Sequence, residues 1–417
     1  MIDLKLLREN AELVRANCIR RHCPIDFDVL LEQERLYREI NTEVEDLRAK
    51  RNRLSKECKD NPAARDEMRL LRDELGRKEA VLTRTQEKLQ AMLDRLPNLL
   101  ADDVPDGNDD MDNVELRKVG TIPVFDFKPR DHQELGEMLD ILDTARGAKV
   151  AAAGFYYWKG KGAQLAQALY FWVQKELIER GFTLFMSPCL AKERTLYGTG
   201  YLPFFADQTF NLDGMDLALI GTSEQTLVGY HADDVLDAAE LPLRYTALTP
   251  CFRTEAGSYG KASRGIFRVH QFHKVEQIIF CTPEESVKFH EECLANEEYI
   301  LQSLGIPYHV VNVCVGDLGA PGYKKYDIEA WFAGFGAYRE VTSNTNLTSF
   351  QSRRLNIRYK KENGERDFVH TISATAVTDR VLIAILENFQ RADGSVVVPE
   401  VLRPLCGFDV IEPIASK

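Results

Sequence analysis

Phe252-Arg253-Thr254-Glu255-Ala256-Gly257-Ser258, resumed at Arg264-Gly265-Ile266-Phe267-Arg268-Val269-His270-Gln271-Phe272-His273-Lys274-Val275-Glu276, is the stretch on which the fold turns. It reads as a glycine-bearing loop between two strands, flanked by arginines and acids. Alternate residues of a strand share a face, so Phe272, Lys274 and Glu276 project together. Arginine is the natural partner of a polyphosphate, because its planar fork is permanently charged and bonds two oxygens at once. An aromatic beside it can stack a nucleobase, and carboxylates can hold Mg²⁺ or an ammonium group. Neither GxxxxGK[ST] nor GxGxxG occurs, so nucleotide binding would need an apparatus of this other kind.

Around that string, Leu217–Ile220, Ile278–Phe280, Tyr308–Val313 and Leu355–Tyr359 read as strands, and 164–180, 284–304 and 374–391 as helices. They do not alternate in a βαβ rhythm, which predicts an α+β domain around a mostly antiparallel sheet. Toward the N-terminus the pattern changes. Met68, Leu71, Leu75, Lys78, Leu82, Thr85, Leu89, Met92 and Leu96 recur at alternating spacings of three and four, the seam of a long helix on one partner. Leu36, Ile40, Val44, Leu47, Leu54 and Cys58 repeat it, and Lys59-Asp60-Asn61-Pro62 breaks the two runs apart. An antiparallel coiled-coil hairpin over about 28–97 is expected, each arm a rod of about 45 Å. The acidic, Pro- and Gly-punctuated stretch after it predicts a linker at 101–120, dividing an N-terminal helical unit, 1–100, from the mixed α+β domain, 121–417.

The whole chain has 417 residues, with 53 Lys+Arg against 65 Asp+Glu, a formal charge of −12, and 44% apolar residues. That content supports a core and argues against a disordered or fibrous chain. No apolar run approaches the length of a bilayer span, and the N-terminus lacks a signal-peptide pattern, so a cytoplasmic protein without membrane attachment is expected. The 9 cysteines are scattered, without a CxxC pair, which predicts reduced thiols and no structural zinc. The acid excess argues against nonspecific coating of nucleic acid, but charge is uneven. Residues 29–97 carry 16 Lys/Arg against 15 Asp/Glu, and Arg48, Lys50, Arg51, Arg53, Lys56 and Lys59 face only Glu57 in their stretch. Such a run is either a solvated helix face or a site that docks a phosphate backbone.

The central string resembles motif 2 of class II aminoacyl-tRNA synthetases, in the version FR-x-E-x-G…RG-x-x-RVHQF-x-K-x-E of the seryl-tRNA synthetase family. Asp3–Asn10, the hairpin, Leu96-Pro97-Asn98, His132–Gly136, Gly198–Pro203, Tyr326–Trp331, Arg339–Asn346, Phe350–Arg354 and Pro399–Leu402 are similar to the same family, so the resemblance spans nearly the whole chain. It implies ATP-dependent activation of serine to seryl-adenylate, then transfer to the 3′ end of tRNA. It also implies a homodimer and a coiled-coil arm that grips tRNA through the basic stretch. Arg253 would hold the α-phosphate, Glu255 and Phe272 the adenine, and Arg268 and Arg380 the distal phosphates. Glu340 and Ser343 would hold Mg²⁺, with Arg253, Glu340 and Arg380 as the catalytic set. Thr222, Glu224, Arg253, Glu276, Ser373 and Thr375 would surround the amino acid.

The chain departs from this pattern in motif 3, His370-Thr371-Ile372-Ser373-Ala374-Thr375-Ala376-Val377-Thr378-Asp379-Arg380. Ser373 stands in place of an asparagine, Asp379 in place of Gly or Pro, and the segment from Thr375 to Arg380 is one residue short. On a helix one deletion turns every later residue by about 100°, re-aiming Arg380 or Thr375 unless a bulge absorbs it. Ala333, Pro321-Gly322-Tyr323, Asn344 and Leu347 are smaller departures. Two other functions are compatible with them: a paralogue that activates another small amino acid or uses a non-tRNA acceptor, and a non-catalytic tRNA-binding scaffold.

Overall fold

The computed structural model describes residues 2–57, 62–256 and 265–414 and separates into two compact units, Met1–Pro97 and Asn98–Lys417. In the first, α1 (Phe27–Glu57) and α2 (Pro62–Leu93) form the expected hairpin. Met68, Leu71, Leu75, Thr85, Leu89 and Leu96 are buried along α2 and just beyond its end, and Ile40, Val44 and Leu75 form the mid-length core of the hairpin. Each buried Leu contributes about 2 kcal/mol of transfer free energy, so the seam holds the arms together. Thr85 enters it without an orphaned hydroxyl, which bonds the Val81 carbonyl at 2.9 Å. Leu36 corrects the expected register: it is 42% exposed, and Glu34, buried and bonded by Arg8 Nε at 2.5 Å, faces inward instead. Cys58, Lys59, Asp60 and Asn61, at the expected hairpin tip, lie outside the described residues.

The second unit is built on eight strands: β1 (Val114–Val119), β2 (Thr183–Phe185), β3 (Leu243–Phe252), β4 (Gln271–Cys281), β5 (Tyr308–Asn312), β6 (Lys324–Phe332), β7 (Ala337–Thr348) and β8 (His370–Thr378). Their spatial order is β1-β5-β6-β7-β8-β4-β3-β2, antiparallel throughout except for the β2–β3 pair. Helices α3 (Gly160–Glu179), α4 (Ser286–Leu304) and α5 (Asp379–Asn388) cover the sheet and share one large apolar core with it. No helix among the described residues is long and apolar enough to cross a membrane.

Three expectations are corrected here. Residues 101–120 do not form a free linker: Ala101 and Val104 are buried against Val311, Val313 and Val315, and β1 pairs with β5 as the sheet edge. The segment 355–359 is not one strand; a helix ends at Leu355, Asn356 takes φ +56°, and a strand begins at Arg358. Residues 374–378 are not helical but the end of β8, and α5 starts only at Asp379. The shortened motif 3 therefore runs along a strand, where the relevant geometry is parity rather than helical rotation. Thr375 pairs with Glu276 and Val377 with Val275, so Ala376 is an extra residue, a β-bulge. The bulge returns Thr378, opposite Lys274, to the face that carries Ser373 and Thr375.

Candidate active site

A cavity of about 380 Å³ opens in the second unit beside β4, β7 and β8. Phe272, Lys274 and Glu276 of β4 all line it, as strand parity predicts. Arg253, Glu255, Arg268, Glu224, Glu340, Ser343, Ser373, Thr375 and Arg380 also reach its wall, and Thr222 stands directly behind Glu276.

One end is cationic. Arg253 follows β3, its N–H bonded to the His270 carbonyl at 3.0 Å and its guanidinium 5.3 Å from the centre of the Phe272 ring. Arg268 donates to Glu255 at 2.9 Å, and Glu255 sits at φ +51°, a strained conformation for a residue with a side chain. Arg380 lies 4.5 Å from the Phe267 ring centre and donates to Glu340 through its carbonyl (2.9 Å) and its carboxylate (3.2 Å). Partial loss of water within the cleft would raise the Glu340 pKa, but Arg380, Lys325 and Arg253 outweigh it and hold the carboxyl, 46% exposed, below its ordinary range. Glu340 and Ser343 have opposite parity in a regular strand. A bulge at Val341, between the pairs Ile328–Thr342 and Glu329–Glu340, turns both toward the cleft.

The other end is acidic and buried. Glu276 is 1% exposed. It accepts from Ser373 Oγ at 3.1 Å and Thr222 Oγ1 at 3.2 Å, and it forms an ion pair with buried Lys274. Glu224 accepts from Gln351 Nε2 at 2.6 Å and from Tyr201 Oη at 3.4 Å. Its pKa is raised to about 7, first by burial and then by the neighbouring charge of Glu276. Thr375 completes this wall. Two carboxylates against one lysine leave room for one further cation, and the surrounding hydroxyls can hold a small polar side chain.

Sequence reasoning does not assign Lys274, Gln351 or Tyr201. Lys274 is signalled by its shared parity with Phe272 and Glu276, and Gln351 lies inside a recognised string without a role. Motif 2 is itself anchored from behind: His132 Nδ1 bonds Glu387 at 2.8 Å and its Nε2 accepts the Ile266 N–H at 3.1 Å. Gly265, at φ +72°, lies so close that a Cβ would come within 2.0 Å of His132 Nε2. Gly257, Ser258 and Arg264 of motif 2 are outside the described residues.

The basic residues expected to meet tRNA belong to the first unit. Arg48 is paired with Glu79 at 2.8 Å and Lys50 with Glu67 at 2.9 Å, both across the hairpin, so the stretch is not opposed by Glu57 alone. Arg51 donates to Asn52 at 3.2 Å, Arg53 and Lys56 are exposed, and Lys59 is not among the described residues. Among the described residues no cluster of three or more His, Cys, Asp or Glu could hold a metal.

Residues 1–100 match the family described as the seryl-tRNA synthetase N-terminal domain, and residues 209–389 the tRNA synthetase class II core domain (G, H, P, S and T). The chain is 42% identical to a serine–tRNA ligase of Treponema denticola, over 99% of this chain and 100% of that protein. It is 45% identical to a serine–tRNA ligase of Clavibacter sepedonicus, over 100% and 99%. The crystal structure of seryl-tRNA synthetase from Pyrococcus horikoshii complexed with ATP superposes with a TM-score of 0.93 at 39% identity, covering 100% of both chains.

Proposed function

The chain belongs to the seryl-tRNA synthetase family, and from that premise we propose that it activates serine with ATP and transfers the seryl group to the 3′ end of tRNA. The observation that carries this reading is the polarity of the cleft, with arginines and Phe272 at one end and buried carboxylates and hydroxyls at the other. The ammonium of serine meets Glu224 and Glu276, and its hydroxyl lies toward Ser373 and Thr375. Its carboxylate is thereby aimed at the α-phosphorus. Phe272 stacks the adenine, Glu255 accepts from its amino group, and Arg253, Arg268 and Arg380 take the phosphate oxygens. The carboxylate oxygen bonds to the α-phosphorus as the bond to pyrophosphate breaks, and Arg253, Glu340 and Arg380 form the catalytic set around this step. Positioning and charge neutralisation supply most of the acceleration, since no proton must move. In the second step a ribose hydroxyl of tRNA attacks the acyl carbon, the bond from that carbon to the AMP oxygen breaks, and the hydroxyl proton leaves with the AMP phosphate.

Mg²⁺ fits the wall as well. Glu340 and Ser343 present two oxygen donors on one face, few enough to leave positions for phosphate oxygens, as this cation favours. Bound there, it would neutralise charge on the triphosphate and on departing pyrophosphate. The same reading assigns residues 1–100 to tRNA docking, with the coiled coil over about 28–97 as the gripping arm and Arg48, Lys50, Arg51, Arg53, Lys56 and Lys59 as its phosphate contacts. It assigns catalysis to residues 121–417, a homodimer as the working form, and the cytoplasm as its place of action. ATP/pyrophosphate exchange across the twenty amino acids, with charging of tRNA measured afterwards, tests this: exchange must depend on serine. Signal with another amino acid would make motif 3 the determinant of a different specificity, and silence with all of them would leave a scaffold.

A further inference from the structure

Asp379 is 2% exposed, and its carboxylate, beside the cleft, accepts four hydrogen bonds. Tyr156 Oη donates to it at 2.9 Å, Trp158 Nε1 at 3.2 Å, Tyr170 Oη at 2.5 Å and the main-chain N–H of His273 at 2.5 Å. The His273 imidazole stands 3.7 Å away. Tyr156, Trp158 and Tyr170 do not line the cavity, so this network lies behind its wall. It joins the first residue of α5 to the residue after Phe272 on β4.

The neighbouring residue makes a second tie. Thr378 Oγ1 donates to the Val341 carbonyl at 3.2 Å and accepts the Arg380 N–H at 3.3 Å. Residue 378 thus grips the strand that carries Glu340, while residue 379 grips the strand that carries Phe272. Arg380 comes directly after them. Successive helical residues differ in direction by about 100°, so fixing the start of α5 fixes where Arg380 points. An ionised carboxylate in the first turn also suits the helix N-terminus electrostatically.

We propose that Asp379 is a positioning residue for ATP: by tying the start of α5 to β4, Tyr156, Trp158 and Tyr170, it holds Arg380 in line with the distal phosphates. This deepens the proposed function and rests on the reading of the cleft as an ATP and serine site. An asparagine at 379 keeps the shape but turns an amide nitrogen, which cannot accept, toward at least one of the four donors.

The test uses the full-length chain. Wild type is measured first for serine-dependent pyrophosphate exchange and for ATP affinity by calorimetry; a wild type without such exchange overturns the proposed function and this proposal together. Given an active wild type, Asp379→Asn is expected to weaken ATP binding about tenfold and leave the KM for serine within twofold. Added to Arg380→Ala, it is expected to cost less than a further twofold in ATP affinity, because its effect runs through that arginine. Tyr170→Phe removes one donor only and decides the matter if Asp379→Asn does not fold, with an expected loss of about threefold for ATP and none for serine. The proposal is overturned if folded variants bind ATP as wild type does, lose ATP and serine in parallel, or add their full effect to Arg380→Ala.

Discussion

The two ends of the cleft solve opposite problems with opposite means. At the phosphate end, charge is brought in on arginines that are partly exposed and countered by Glu255 and Glu340, pairs that a triphosphate can displace at modest cost. At the amino-acid end, charge is buried: Glu276, Lys274 and Glu224 are at most 8% exposed, and every one has a hydrogen-bonded or ionic partner. On the proposed function, the first end would recognise a large polyanion by accumulated positive charge, and the second a small zwitterion by shape and by a charge balance short of one cation. Changes at the first end should therefore act mainly on ATP and chemistry, and changes at the second mainly on serine.

The largest break expected in that division is Arg253→Ala. Its guanidinium is held over Phe272 where the α-phosphate would lie, and charge that stabilises a transferring phosphoryl group is worth about 10³-fold or more. Exchange should fall by at least that factor with the melting temperature nearly unchanged, and undiminished exchange would remove Arg253 from the mechanism. Next comes Glu276→Gln. It replaces one of the two oxygens that accept from Thr222 and Ser373 by an amide nitrogen, which cannot accept, and it removes the counter-charge of Lys274; breaking a buried ion pair costs about 3–5 kcal/mol. The KM for serine should rise about 10²-fold with that for ATP within twofold; a larger shift for ATP would erase the distinction between the ends.

Charge reversal at Arg51, Arg53 and Lys56 touches neither end. It should raise the KM for tRNA by about tenfold at low salt, and by less as salt screens the contacts, with exchange unaltered. An equal effect on exchange would mean that the arm does not act as a docking element alone. Ser373→Ala is a more local change of comparable size. It withdraws one hydroxyl from a charged acceptor, worth about 1.5–3 kcal/mol, so the KM for serine should rise at least tenfold while ATP is unaffected. No change would place the specificity of this wall in Thr375 instead.

The sequence is informative where a local pattern decides structure and silent where two distant segments do. The alternation from Met68 to Leu96 sets out the hairpin because a coiled-coil seam repeats along one helix. The parity of Phe272, Lys274 and Glu276 sets out one cleft wall for the same reason. The bulges at Val341 and Ala376 have no such signal, since an extra residue is defined only against the neighbouring strand. They are what turn Glu340 and Ser343 together and carry Thr378 back to the face of Thr375. Residues 374–378 read as helical because Ala and Val suit either state, and pairing with β4 and β7 decides in favour of a strand. The acidic composition of 101–120 conceals Ala101 and Val104, whose burial depends on valines two hundred residues away. Lys50 looks unopposed because Glu67 faces it only once the chain has turned back.

The smallest effect expected at the acidic end concerns protons. Glu224 has a pKa raised to about 7 by burial and by Glu276, against an ordinary value of 4.5. The folded state thus binds this proton more tightly than the unfolded one, so the stability linked to it is fully present below about pH 4.5 and is lost as pH rises through about 7. Replacing the carboxyl by an amide removes that pH-dependent cost, and Glu224→Gln should melt higher than wild type at pH 8 and show no such gain at pH 5. Serine binding should respond in the opposite sense. Its ammonium needs the ionised form of Glu224, so the KM for serine should rise several-fold between pH 8 and pH 6 while that for ATP stays flat. In Glu224→Gln the KM for serine should be higher throughout and independent of pH over this range. A pH dependence that survived the substitution would assign the proton to another group and make Glu276 alone the seat of the ammonium.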